Sequence, residues 1–127
     1  MTTRPLDMGA LMADCLFCGI VAGDIPSKRE AEDDLCVAFH DVAPAAPFHV
    51  LVVPRRHITN AAELGAGDGE VLAAMAQMAR RVAEANGFAP EERGYRLVMN
   101  VGPDAMNSVP HLHLHVLAGK QMGWPPG

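Results

Sequence analysis

Histidine and apolar residues alternate strictly over residues 111–116, within the segment 109–117 near the end of the chain. The segment holds two interleaved sets: the apolar Leu112, Leu114 and Val116, and the histidines His111, His113 and His115. A period of two predicts a β-strand, because successive side chains of a strand point to opposite faces. The apolar set would then face a core, and neighbouring histidines would stand about 6.6 Å apart on the other face.

Three earlier segments have the apolar content of strands, and they span residues 35–41, 49–54 and 95–100. A short proline-containing loop at residues 43–47 separates the first two. Because short connections join antiparallel neighbours, we expect these two strands to pair side by side. The third strand precedes the loop that leads into the alternating segment.

One long stretch, at residues 69–86, has helical periodicity. Its apolar stripe follows the spacing of one helix face and comprises Val71, Met75, Met78 and Val82. Asp68 is placed to cap the start of this helix, and Gly87 is placed to end it. A short helix or turn is predicted at residues 15–23, where Gly23 ends it.

Together these elements predict an α+β fold: an antiparallel β-sheet with one long and one short helix, both on one side of the sheet. The chain has 127 residues, half of them hydrophobic, which fits one domain. We expect this domain to span residues 15–127 and residues 1–14 to form a flexible N-terminal extension. The extension lacks the continuous apolar segment of a signal peptide.

The charge balance excludes several classes of partner. The formal net charge is −5 and no basic run occurs, which argues against binding to nucleic-acid backbone or to anionic membranes. No apolar run approaches the roughly 18 residues of a membrane span. Three cysteines are an odd number, which argues against a disulfide framework. We therefore expect a cytoplasmic protein that binds neither nucleic acid nor membrane.

The row of three histidines is the strongest indication of chemistry. At neutral pH imidazole is mostly unprotonated, so the central His113 could attack phosphorus while a neighbouring histidine protonates the leaving group. At strand spacing, a phosphoryl group can touch His113 and one neighbour together. Two alternatives remain beside phosphate chemistry: a metal site that uses two of the histidines, and a purely structural polar face.

Cys15 and Cys18 form a Cys-x-x-Cys pair. This spacing suits tetrahedral zinc, which needs two further protein ligands in a structural site. Unligated thiols and a redox pair are the alternatives. The redox alternative lacks the preceding strand that accompanies such a motif in thioredoxin-like proteins.

The histidine row and the tail of the chain together resemble a known family. The pattern His-apolar-His-apolar-His-apolar-apolar at residues 111–117 resembles the histidine triad (HIT) superfamily. The tail at residues 118–127 resembles its Hint-type nucleotide-binding branch. The resemblance extends over residues 15–127 and implies the HIT-like fold and a homodimer whose sheets join across the interface.

The resemblance also implies catalytic and metal-binding roles. His113 matches the nucleophile of the family, His115 and His49 lie where they could serve the leaving group, and His111 completes the catalytic row. In some bacterial relatives a structural zinc uses the first triad histidine instead. The corresponding ligands in this chain would be Cys15, Cys18, His57 and His111. Catalysis itself would need no cofactor.

The same resemblance implies a nucleotide site. Asp41 would accept hydrogen bonds from the ribose hydroxyls, since an ionised carboxylate is an acceptor only. Asn100 and Ser108 match residues that contact the phosphate or its linkage. The remaining residues of the base and ribose pocket would be Phe17, Ile20, Phe39, His40, Val42 and Leu51. Met106 replaces a small residue of the family, and Pro110 lacks an N–H before the row, which leaves the choice of leaving group open.

These features predict a hydrolase of nucleoside 5′-phosphoramidates, or of related purine nucleotide conjugates of AMP or GMP. The reaction would pass through a nucleotidyl-histidine intermediate. One alternative within the superfamily is a dinucleoside polyphosphate hydrolase or phosphorylase. Another is a non-enzymatic protein that binds nucleotide or zinc.

Overall fold

The computed structural model describes residues 15–127, so the extension predicted at residues 1–14 lies outside the described residues. Five strands form one sheet: β1 (Arg29–Glu32), β2 (Cys36–His40), β3 (Phe48–Pro54), β4 (Arg96–Val98) and β5 (Leu114–Ala118). All neighbours are antiparallel, in the order β1-β2-β3-β5-β4. Two helices, α1 (Leu16–Ala22) and α2 (Gly69–Ala85), complete the α+β fold, which confirms the predicted class.

The centre of the sheet is β3, and all seven of its residues are buried. It pairs with β2 on one side, as predicted, and with β5 on the other. Val50 and Val52 pack beneath α2, whereas Leu51 and Val53 pack beneath α1. Alternate residues of one strand therefore serve two hydrophobic cores, one on each face of the sheet.

The strand in the alternating segment begins later in the sequence than predicted. Its backbone pairing with β3 starts only at Leu114. Pro110 has no N–H to donate. The N–H of Leu112 donates to the carbonyl of Ile58 at 2.6 Å and therefore does not enter the sheet. The predicted separation of faces is preserved, because the three apolar residues of the segment all enter the core beneath α2.

The apolar stripe of α2 packs on this face of the sheet, and its four predicted members are all buried. Just beyond the helix, Gly87 has a φ of +90°, the left-handed conformation that favours glycine. Asp68 precedes the helix as predicted, but its carboxylate makes no capping bond to it. The carboxylate instead accepts the N–H of Gly65 at 2.8 Å and pairs with Arg56.

The short helix α1 packs on the opposite face, so the prediction that both helices share one side is wrong. Phe17 and Ile20 of α1 belong to one cluster with Phe39, Leu51 and Val53. Strands β2 and β3 carry apolar residues at consecutive positions, and such strands need cover on both faces. A continuous apolar run has no period of two, so it does not reveal which face a helix covers.

The edge strand β1 was not predicted, because its sequence Arg-Glu-Ala-Glu has no apolar run. It pairs with β2, and the guanidinium of Arg29 donates to the carbonyls of Ile20 and Val21 near the end of α1. On the other edge, β4 is shorter than the strand predicted at residues 95–100. Neither of the described helices is long and apolar enough to cross a membrane.

Candidate functional site

A cleft of about 360 Å³ opens on the α1 side of the sheet. The lining residues are Leu16, Phe17, Ile20, Ile25, Pro26, Ser27, Phe39, His40, Asp41, Val42, Leu51, Asn100, Met106, Ser108, Val109, His113 and His115. This set contains every residue expected to bind nucleotide, together with two histidines of the row. Among the described residues that line it, none is lysine or arginine.

His113 leaves its Nε2 nitrogen with a free lone pair. Its Nδ1 lies 2.7 Å from the carbonyl oxygen of His111. A carbonyl oxygen only accepts, so Nδ1 carries the proton and Nε2 does not. The ring meets the edge of Phe17 at a centroid distance of 5.1 Å and lies 5.0 Å from the ring of His115. The backbone and the packing thus fix both the tautomer and the orientation of this candidate nucleophile.

His49 and His115 form a hydrogen-bonded pair. The N–H of Ala45 donates to His49 Nδ1 at 2.9 Å, so His49 carries its proton on Nε2. That Nε2 lies 2.8 Å from His115 Nδ1, which must therefore accept. His115 in turn carries its own proton on Nε2, the nitrogen left free to donate. His49 does not line the cleft, but it sets the tautomer of His115, which does.

Burial keeps this pair uncharged at neutral pH. Desolvation lowers the pKa of His115 to about 4, with a further contribution from the neighbouring His113 and His49. Burial also lowers the pKa of His49, against the opposing effect of the Asp41 carboxylate. Before any substrate binds, the pair of His49 and His115 therefore offers the cleft a hydrogen-bond donor rather than a fixed positive charge.

Asp41 follows β2 at the edge of the cleft. Its Oδ1 accepts the N–H of Ala43 at 2.8 Å, and its Oδ2 lies 3.5 Å from His49 Nε2. The carboxylate is therefore a second acceptor for the proton of His49. Each carboxylate oxygen has two lone pairs, so Asp41 keeps capacity for further donors. Its contact with ribose stays a prediction.

A second group of side chains meets at the start of α1, where Cys15, Cys18, His57 and His111 hold their donor atoms within 4.8 Å of one another. The Sγ–Nδ1 distances are 3.3 Å for Cys15–His111, 3.2 Å for Cys18–His57 and 3.4 Å for Cys18–His111. Zinc bonds of roughly 2.3 Å to sulfur and 2.0 Å to nitrogen, at tetrahedral angles, separate the two atoms by roughly 3.5 Å. The spacing of the four residues therefore fits zinc.

Hydrogen bonds orient the donor atoms of this Cys/His cluster. His111 is fully buried, and its Nε2–H donates to the carbonyl of Pro54 at 2.9 Å, so its Nδ1 faces the sulfurs with a lone pair. The N–H of Cys18 donates to Cys15 Sγ at 3.3 Å. Burial and the adjacent Cys15 raise the pKa of the Cys18 thiol to about 12, so a thiolate here needs a cation beside it. His111 thus faces the cluster and does not line the cleft.

Sequence reasoning missed part of the cleft wall. Residues 25–27 and Val109 line the cleft but were not among the expected site residues. Gly23 ends α1 in a left-handed conformation, and Pro26 predicts an extended connection after it, but this prediction did not place the segment beside the cleft. No sequence signal pointed to Glu30, which lies on the unpredicted β1 and whose Oε1 lies 3.2 Å from His40 Nε2.

The family model of the HIT domain matches residues 22–122 of this chain. The chain belongs to the HIT family. The matched range contains the whole sheet, α2 and the histidine row that gives the HIT family its full name. Cys15 and Cys18 lie before this range, so half of the Cys/His cluster comes from outside the matched HIT domain.

Relatives of similar length support this membership. A HIT-like protein of Synechococcus elongatus, named as uncharacterised, is 41% identical over 114 residues, which cover 90% of this chain and 97% of the relative. A "14 kDa zinc-binding protein" of Zea mays is 40% identical over 114 residues, covering 88% of this chain and 87% of the relative. The predicted HIT superfamily is confirmed, whereas the Hint-type branch stays a prediction.

Solved structures of HIT family hydrolases share the fold. The one from Legionella pneumophila has a TM-score of 0.85 and 43% sequence identity, and the match covers 90% of this chain and 100% of that chain. The one from Clostridium thermocellum has a TM-score of 0.82 and 41% identity, with 87% and 94% covered. The HIT-like fold predicted from the sequence is therefore confirmed.

Acid should destabilise the fold through His115. Its pKa is about 4 in the folded protein, against 6.5 for the ordinary residue. Between these pH values the unfolded chain binds a proton that the folded chain does not, so stability falls as the pH drops from 6.5 towards 4. We expect the melting temperature of the parent to fall more steeply over this window than that of His115→Gln. Parallel pH profiles for the two proteins would contradict the assignment.

Proposed function

We propose that the protein is a hydrolase that cleaves the P–N bond of nucleoside 5′-phosphoramidates, or related nucleotide conjugates, through a nucleotidyl-histidine intermediate. One observation carries the proposal: a single cleft holds the unprotonated Nε2 of His113 beside the protonated Nε2 of His115. Phosphoryl transfer through histidine needs such a nucleophile and such a proton donor. The HIT family hydrolases among the similar structures support the reaction class.

The cleft suits a purine nucleotide, such as an AMP or GMP conjugate, bound in one direction. Phe17 and Phe39, with ring centroids 5.5 Å apart, form an apolar end for the base. Asp41 would accept hydrogen bonds from the ribose hydroxyls. Asn100 and Ser108 would donate to the phosphate from the β4–β5 side. The phosphorus atom would then lie beside the two histidines that line the cleft.

In the first step, the lone pair of His113 Nε2 forms a bond to phosphorus. The P–N bond to the amine breaks, and its electron pair leaves with the amine nitrogen, which takes the Nε2 proton of His115. For this His115 must hold a second proton, drawn from solvent when the anionic substrate lies beside it. His49 can then direct its own Nε2–H to Asp41 Oδ2, 3.5 Å away.

In the second step, water attacks the phosphorus of the nucleotidyl-histidine. His115 Nε2, now unprotonated, accepts the proton of the water molecule. The bond between phosphorus and His113 breaks, and its electron pair returns to Nε2 of His113. His115 thus regains the proton that it gave to the amine, and it serves as acid and base in turn.

His113→Ala should abolish turnover and leave nucleotide binding in place, because only the covalent step is lost. We expect hydrolysis of adenosine 5′-phosphoramidate to fall by at least about a thousandfold, while the Kd for AMP measured by calorimetry stays within about threefold. In the parent, trapped nucleotide should be found on His113. Retained turnover in the variant, or nucleotide trapped on His111 or His115, would contradict the assignment.

A diadenosine polyphosphate assayed beside the phosphoramidate separates the proposed reaction from the alternative within the HIT superfamily. The proposed reaction predicts the higher kcat/KM for the phosphoramidate. The reverse ranking would assign the cleft to dinucleoside polyphosphates. AMP binding without turnover of either compound would assign the protein to the non-enzymatic nucleotide binders.

We also propose that Cys15, Cys18, His57 and His111 hold a structural zinc ion. With four protein ligands no coordination position is left for substrate, so the metal would tie α1 to the sheet and take no part in the reaction. The name of the maize relative supports zinc binding in the HIT family. The proposal extends to a cytoplasmic location, where reducing conditions keep both cysteines available as thiolates.

Replacing both cysteines of the cluster by serine should remove the metal and weaken the fold. Protein purified without chelator should contain about one zinc per chain, and Cys15→Ser with Cys18→Ser should contain none. The melting temperature should fall more than kcat does at a temperature where the variant stays folded. The control is Cys36→Ser, a buried cysteine of the other core, which should keep its zinc. Zinc-free parent with both thiols open to labelling would rule out the metal site.

The proposal includes a homodimer formed through β4. This strand is at the edge of the sheet, so one row of its backbone hydrogen-bonding groups lacks a strand partner among the described residues. The apolar Leu97 of β4 and the nearby Val101 are exposed by 41% and 43%. An apolar, unpaired edge is the surface on which a second sheet can be added.

Leu97→Lys should convert the dimer to a monomer, because a charge at this edge opposes strand pairing. Sedimentation should give twice the chain mass of 13.5 kDa for the parent and the single chain mass for the variant. The control is Leu72→Lys on α2, where the leucine is also 41% exposed, and it should remain a dimer. A monomeric parent would overturn the proposal.

A further inference from the structure

Met106 has an unusual backbone conformation. Its φ is +63° and its ψ is +34°, and among residues 15–127 it is the one non-glycine residue with positive φ. Residues with a Cβ rarely adopt this left-handed conformation, and asparagine is among those that tolerate it best. It follows the short 3₁₀ turn Pro103–Ala105 in the loop between β4 and β5. The conformation sets a long apolar side chain where a glycine would be expected.

The side chain of Met106 lines the cleft and is also exposed to solvent by 82%. It shares this combination with Val42, which is 99% exposed, and with Leu16. Exposed apolar side chains gathered around a cleft are typical of a surface that contacts a ligand. The rim of this cleft therefore carries exposed apolar side chains in addition to the buried apolar wall.

The strand order decides which part of the substrate would meet Met106. The cleft crosses the sheet from Phe39 on β2 to Leu51 on β3 and then to His115 on β5. The next strand is β4, which leads to Asn100 and to the loop that carries Met106. A nucleotide with its base over β2 and β3 and its phosphorus beside β5 would direct its leaving group over this loop.

We propose that Met106 determines specificity by contacting the leaving group, and that it selects amines with an alkyl or arylalkyl substituent. The inference rests on the proposed P–N hydrolase function. A methionine side chain is flexible and polarisable, so it can pack against apolar groups of varied shape. Ammonia as leaving group has no substituent that could pack against this side chain, and a cationic substituent would lose hydration on contact with it. Met106 exchanges no proton or electrons, and the amine still takes its proton from His115 as described above.

The test compares leaving groups in the parent and in three variants. The substrates are adenosine 5′-phosphoramidate and its N-benzyl and N-(5-aminopentyl) derivatives. In Met106→Asn the ratio of kcat/KM for N-benzyl over unsubstituted substrate should fall about tenfold, as expected for loss of an apolar contact. Asparagine tolerates the left-handed conformation, so the backbone is matched. Met106→Leu, which restores an apolar side chain, should recover most of the ratio.

The control Leu72→Asn changes an exposed leucine on α2, which packs on the other face of the sheet, and it should keep the parent ratio. An unchanged ratio in Met106→Asn would overturn the inference, as would a parent that prefers the cationic N-(5-aminopentyl) substrate. Either result would leave the proposed hydrolysis intact.

Binding to protein without its nucleophile separates the two proposals. In His113→Ala, calorimetry should give an N-benzyl phosphoramidate Kd about tenfold below that of the unsubstituted compound. The added Met106→Asn change should remove this difference. If the N-benzyl and unsubstituted compounds bind equally well in both proteins, the role of Met106 is overturned and the proposed hydrolase function is not. Failure of the parent to hydrolyse any of the substrates would overturn the proposed function, and the calorimetric comparison would still decide the apolar contact.

Discussion

One hydrogen bond joins the two candidate centres of this protein. The Nδ1–H of His113 donates to the carbonyl oxygen of His111, while the side chain of His111 belongs to the Cys/His cluster. The same residue thus contributes a candidate metal ligand through its ring and the acceptor for the nucleophile through its backbone. A group that orients a catalytic side chain affects its reactivity without touching the substrate. Occupancy of the cluster would therefore influence the cleft through geometry alone.

Hydrogen bonds that begin at backbone groups assign the protons of four histidines: His49, His111, His113 and His115. The carbonyl of Pro54 accepts a hydrogen bond from Nε2–H of His111, and the N–H of Ala45 donates to Nδ1 of His49. The remaining bonds then fix the tautomers of His113 and His115 in turn. The backbone of a folded sheet and its turns moves little, so these assignments exist before any substrate binds. Donors and acceptors that are arranged in advance reduce the reorganisation needed during the reaction, which is a major source of electrostatic catalysis.

Local periodicity explains what the sequence could predict about the fold. The faces of the histidine segment, the stripe of α2 and the end of that helix at Gly87 each depend on residues close in sequence. The side of the sheet that α1 covers depends instead on strands with apolar residues at consecutive positions, which carry no period. The strand β1 has no apolar run that would indicate a strand in the sequence. It is a strand because its backbone pairs with β2.

In the candidate site, too, some features follow from local sequence motifs and others only from the folded structure. The resemblance to the HIT family supplied most of the polar residues of the cleft, because motifs preserve identity and spacing, whereas residues 25–27 and Val109 were missed. The tautomers could not be predicted from the sequence, because they depend on the backbone N–H of Ala45 and the backbone carbonyl of Pro54. Nearly every residue has such backbone groups, so nothing in the sequence marks these two as hydrogen-bond partners of histidine. The pairing of His49 with His115 joins residues 66 positions apart, and only the register of β3 with β5 brings them together.

The absence of lysine and arginine from the described lining of the cleft has a consequence for the end of the proposed reaction. A phosphoramidate monoester carries one negative charge, whereas a phosphate monoester carries nearly two at pH 7. Hydrolysis would therefore increase the negative charge of the bound molecule, and the described wall of the cleft has no lysine or arginine to hold it. The Asp41 carboxylate at the edge would repel the added charge. Product would then dissociate readily, so its accumulation would inhibit turnover only weakly.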